Sequence, residues 1–121
     1  MKTENIVADK SKAFAIRIVN MYRYLCNEKK EYILSKQIMR SGTSIGANVK
    51  EADYAFSKPD FYNKIGIALK EAGESEYWLE LLHATGYLTD AQFTSMHSDC
   101  QELLKLLMSI SRTKKIHNIT H

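Results

Sequence analysis

Apolar residues recur along the chain at steps of three and four in four separate blocks, the period of an α-helix with one face turned inward. In the first block Phe14, Ile18, Met21 and Leu25 form one stripe, and Ala15, Val19, Tyr22 and Cys26 form a second beside it. A face that wide touches more than one neighbour. The second block carries Ile38, Ser41, Ile45, Asn48 or Val49, Ala52 and Phe56 in helical register despite Gly42 and Gly46. Glycine inside a helix costs about 1 kcal/mol relative to alanine, so packing must compensate there. The third block has the cleanest pattern, with Phe61, Ile65, Ala68, Ala72, Ser75, Leu79 and Leu82 alternating steps of four and three as in a bundle seam. Phe93, Met96, Cys100, Leu103, Leu107 and Ile110 make the fourth.

Polar punctuation separates the blocks. Asp9 or Ser11 can cap the first helix, and the cluster from Asn27 to Glu31 suits a tight turn. Ser57-Lys58-Pro59-Asp60 combines an N-cap serine, an early proline and an acid three residues after the cap. Gly86 stands where a left-handed cap is expected, and Thr89 to Gln92 is a capping box. The pattern predicts one domain over residues 1–121, with helices at about 9–29, 32–56, 59–85 and 90–112 and frayed ends. Short connections between helices of that length imply an all-α, antiparallel up-down-up-down four-helix bundle.

Composition adds three constraints. Two cysteines, Cys26 and Cys100, lack the spacing of a disulfide framework or metal motif and read as reduced core thiols. No apolar run reaches the roughly 18 residues of a membrane span, and the start does not resemble a signal peptide, so a cytoplasmic location without membrane contact is expected. Charge is unevenly distributed: residues 1–50 hold ten Lys/Arg against four Asp/Glu, whereas residues 51–111 hold four against ten.

Catalytic chemistry finds no support. Glu80 and His83 form a Glu-x-x-His pair of the di-metal bundle type, but such a site needs a second pair and two more inward carboxylates. Neither cysteine has a cationic setting that would activate it, and Gly42 and Gly46 lack the strand and lysine of a phosphate loop. No catalytic residue, metal ligand or cofactor is assigned, and the chain reads as a non-enzyme.

Binding surfaces are better supported. Lys36, Arg40 and Lys50 lie along one outer side of the second helix, with Arg17 and Arg23 extending that surface on the first. A basic stripe is either a solvated face or a seat for RNA or DNA phosphates, with Tyr24, Tyr32 and Tyr54 available for base stacking. Ser41, Asn48 and Glu51 are expected to form a structural polar network, and Tyr77 and Trp78 an oligomer interface. A protein-interaction scaffold, in which the basic face meets the acidic third helix of an adjacent copy, is the alternative.

Three segments carry a resemblance: Ser44 to Ala52, Ser57 to Phe61, and Lys70 to Leu82, the last reading KEAGESEYWLELL. Together they resemble the bacterial four-helix bundle proteins of the 23S rRNA intervening-sequence family and, more distantly, the accessory variability proteins of diversity-generating retroelements. The chain departs from the commoner pattern at Gly46, where many members carry proline, and at Ala52, where many carry glycine. The resemblance implies an antiparallel bundle assembled as a ring-shaped homopentamer with a basic surface for nucleic acid. In the retroelement branch it also implies a reverse transcriptase as protein partner.

Overall fold

A computed structural model describes residues 5–120, with side chains from Ile6 to Thr113. Four helices follow one another: α1 (Asn5–Asn27), α2 (Leu34–Ala52), α3 (Lys58–Ala84) and α4 (Asp90–Thr120). Each packs on the next and α4 returns to α1. Paired residues run in opposite directions at every seam. Ser11 meets Gly46, Ile18 meets Gly42 and Cys26 lies beside Ser35 across α1 and α2. Glu51 faces Lys64, Ser41 faces Ser75 and Arg40 faces Glu71 across α2 and α3. Cys100 bonds to Ala72, and His97 lies beside Glu76, across α3 and α4. Lys10 pairs with Glu102 and Arg17 with Asp99 across α1 and α4. The bundle is therefore antiparallel throughout, with the α1–α2 and α3–α4 pairs as its two layers.

The core is the set of stripes meeting at the axis. All seven seam positions of α3 are buried, as are Phe14, Ile18, Met21 and Leu25 of α1. On α2 the buried positions are Ser35, Ile38, Ser41, Gly42, Ile45, Val49 and Ala52. Each buried Ile, Leu, Phe or Val contributes about 1.5–3 kcal/mol through apolar transfer. Met96, Cys100, Leu103 and Leu107 complete the core from α4, with Phe93 and Ile110 half-buried beside it.

The caps follow local chemistry. Ser57 Oγ accepts from the Asp60 N–H at 3.2 Å and Pro59 sits in the first turn of α3. Gly86, at φ 85°, closes α3: its N–H donates to His83 O and the Tyr87 N–H to Leu82 O, the paired bonds of a left-handed cap. Thr89 and Gln92 exchange hydrogen bonds of 2.9 and 3.2 Å as a capping box.

Three boundaries differ from the expectation. Helix α2 ends at Ala52 rather than near Phe56, because the chain must reverse before the extended Ser57 cap. The Asp53, Tyr54 and Ala55 N–H groups bond three residues back, tightening the last turn. Phe56 falls in that reversal, wholly exposed at 100% instead of facing the core. Helix α1 begins earlier, at Asn5, and α4 continues to Thr120 rather than 112. The side chains after Thr113, including those of the basic C-terminal segment, and residues 1–4 lie outside the described residues.

The start of α2 has an unexpected support. Lys30 adopts a left-handed φ of 54°, which turns the buried Glu31 carboxylate under the helix. It accepts from the N–H groups of Ile33, Leu34 and Ser35 at 3.1, 3.0 and 2.7 Å. Burial pushes the Glu31 carboxyl upward, but those three donors outweigh it and hold the group below its ordinary value. A residue before the helix thus satisfies N–H groups that the α2 sequence leaves open.

Candidate nucleic-acid interface

The five expected cations lie on the α1–α2 layer, but the structure divides them. Arg17 donates to Asp99 at 2.5 Å and to the Ser95 hydroxyl at 2.8 Å, both on α4. Arg40 reaches the other way, to Glu71 at 3.1 Å and to Glu74, both on α3. Glu74 also accepts from the Trp78 indole at 3.1 Å; that donor, followed by Arg40, holds its carboxyl below the ordinary range. Because α4 and α3 flank opposite edges of the layer, Arg17 and Arg40 are turned apart and tied to acids of the same chain. The acidic partner of Arg40 belongs to its own α3.

Arg23, Lys36 and Lys50 are exposed and form no salt bridge among the described residues. Lys50 lies 5.9 Å from the ring centre of the exposed Tyr54. A groove of about 490 Å³ separates α1 from α2 here, its lining including the small residues Ala15, Gly46 and Ala47 and the cations Lys12 and Lys50. Asp9 and Asp53 also line it, so it is mixed in sign rather than uniformly basic. Lys12 is a cation that periodicity alone did not single out; its place opposite Gly46 depends on the register of α1 on α2. Antiparallel pairing brings Arg23 and Lys36 to one end of the layer and Lys12 and Lys50 to the other, about 21 Å away at 1.5 Å per residue between Lys36 and Lys50.

The expected polar network is smaller than the sequence suggested. Ser41 is buried and accepts from Ser75 at 3.0 Å, locking α2 to α3. Asn48 donates to Ser44 O within its own helix at 2.8 Å. Glu51 is not part of a buried network: it is exposed and faces Lys64 at 4.0 Å, because its place one residue before Ala52 lies off the inward stripe. Trp78 is half-buried against the core, with its ring 5.1 Å from Tyr77 in an edge arrangement. Tyr77 is the exposed member of that pair, at 57%.

The remaining chemistry is muted. Burial, with Glu76, Asp99 and Glu80 nearby, pushes the Cys100 thiol up to about 12, so it stays protonated at neutral pH. His83 Nε2 lies 2.7 Å from Asp90 Oδ1. No helix among the described residues is long and apolar enough to cross a membrane.

Residues 3–109 match the family of the 23S rRNA-intervening sequence protein. A crystal structure at 1.70 Å is also similar: a protein with unknown function from the S23 ribosomal protein family of Bacteroides thetaiotaomicron VPI-5482, 59% identical. That likeness covers 89% of this chain and 96% of the other, with a TM-score of 0.88. No curated protein matches the chain.

Proposed function

The chain belongs to the 23S rRNA-intervening sequence protein family, and from that premise we propose that it is a non-enzymatic, homo-oligomeric bundle that binds RNA through the α1–α2 layer. The observation that carries the reading is the set of exposed cations on that layer, Lys12, Arg23, Lys36 and Lys50, left unmatched by acids of the α3–α4 layer. A duplex carries about one phosphate per 1.7 Å of axis, so the 21 Å between the two cation clusters spans roughly a dozen charges. Contacts of this kind recognise backbone and shape rather than sequence. DNA phosphates would satisfy the same charges, so RNA over DNA is the family's contribution to this reading and not that of the cations. Assembly into a homo-oligomer, a pentamer by the family resemblance, uses the exposed Tyr77 ring with Trp78 behind it.

Binding of a structured RNA is measured by fluorescence anisotropy across a salt series. With four cations on the backbone, log affinity falls against log salt with a slope of about −3 to −4. Absence of binding at low salt overturns the reading and leaves the alternative of a protein-interaction scaffold.

A further inference from the structure

One cluster on the opposite layer has no part in this reading. Glu76 and Glu80 stand one turn apart on α3, and His97 and Gln101 one turn apart on α4, so four side chains from facing antiparallel helices converge. Ligating atoms of Glu76, Glu80 and His97 all lie within 4.8 Å of one another. His97 Nε2 is 3.0 Å from Glu76 Oε2 and 3.3 Å from the Gln101 amide nitrogen, which also reaches Glu76. The imidazole is held in place by a stack: Phe93 lies 4.8 Å from its ring at 20°, with His83 4.3 Å beyond at 10°.

Charge sets this cluster apart from Glu71 and Glu74 on the same helix. Glu71 and Glu74 share Arg40, and Asp99 and Glu102 of α4 have Arg17 and Lys10. Glu76 and Glu80 have no lysine or arginine partner among the described residues, although the Glu76 side chain is only 25% exposed. Two carboxylates and a fixed imidazole without a cation are a donor set lacking its charge.

We propose that Glu76, Glu80 and His97 bind a divalent transition-metal ion of the Zn2+ class. An imidazole nitrogen among the donors favours such an ion over Mg2+ or Ca2+, which prefer all-oxygen shells. Three protein ligands leave one tetrahedral position to water. Bonds of about 2.0–2.2 Å place tetrahedral donors about 3.5 Å apart, so gaps as wide as 4.8 Å close by roughly 1 Å on binding while the 3.0 Å His97–Glu76 pair opens slightly. Glu80 is exposed and makes no hydrogen bond among the described residues, so its rotation supplies that movement. The ion takes the place now held by the hydrogen bond between His97 and Glu76.

Zn2+ alone is titrated into the full chain by calorimetry, with circular dichroism confirming that each variant is folded. The expected result is one ion per chain, with affinity reduced in both His97→Ala and Glu80→Gln. Loss of an outer-shell partner typically costs about 10–100-fold, so loss of a direct ligand costs at least about tenfold. Glu102→Gln, at the α1–α4 seam and outside both the donor set and the ring stack, retains the affinity. No saturable binding overturns the proposal, as does unchanged affinity in either ligand variant, which would place the ion elsewhere. Glu80→Gln alters an exposed side chain, so the test stands even if His97→Ala fails to fold.

Discussion

Helices α2 and α3 lie side by side, each with two interior glycines, yet they owe their stability to different things. Helix α3 is self-sufficient: Ser57 caps it, Pro59 and Asp60 suit its first turn, and Gly86 closes it. Its glycines, Gly66 and Gly73, have no other part of the chain within 4 Å of where a Cβ would stand. Helix α2 lacks a side-chain cap at Ile33 and relies on Glu31 from the preceding turn. A Cβ on Gly42 would fall 2.7 Å from Ile18 Cγ1, and one on Gly46 3.3 Å from the Ser11 carbonyl oxygen. In α2 glycine permits close approach of α1, and tertiary contact supports a sequence that would make a poor helix alone.

The largest test of this contrast is at Glu31. Hydrogen bonds to a charged group contribute about 1.5–3 kcal/mol, so Glu31→Ala is expected to destabilise the chain by about 2–3 kcal/mol in denaturant unfolding. The pH dependence has a defined sign. Since the fold lowers the Glu31 carboxyl, its stabilisation is fully present above the ordinary carboxylate value of about 4.3 and is lost as pH falls through the folded value. Glu31→Gln should therefore show a flatter stability profile below about pH 4.3. An unchanged acid limb would assign that loss to other carboxylates.

Smaller but sharper is the glycine comparison. Overpacking costs about 1–3 kcal/mol and improved helix propensity returns about 1, so Gly42→Ala should destabilise by up to about 2 kcal/mol, an effect abolished in an Ile18→Ala background. Gly66→Ala and Gly73→Ala should stabilise by about 0.5–1 kcal/mol, the reverse sign for the same substitution one helix away. Loss of stability in Gly73→Ala would show instead that this face of α3, one turn before Tyr77, packs against another copy.

These differences track what the sequence could reveal. The Ser57 cap, the Thr89 capping box, the left-handed Gly86 and the α3 stripe were legible because each signal is complete within a few residues. Phe56 kept the period but fell beyond the helix, since the space needed to reverse into Ser57 has no periodic signature. Glu31 was hidden because its role depends on Lys30 turning left-handed. The cations Arg17 and Arg40 looked equivalent to Lys36 and Lys50 along the helical wheel. Only the register of α4 and α3 decides that acids stand opposite the first two. Register likewise conceals the Glu76, Glu80 and His97 cluster, although the one-turn spacing of its carboxylates is visible.

That division between tied and free cations is tested most directly by the salt dependence of RNA binding in paired variants. The Lys36→Gln/Lys50→Gln chain should lose about 1.5 units of log–log slope, close to one for each phosphate contact removed, while Arg40→Gln should keep the slope of the unaltered chain. An equal loss in both, or a loss confined to Arg40→Gln, would contradict the assignment of phosphate binding to the unpaired lysines of the α1–α2 layer.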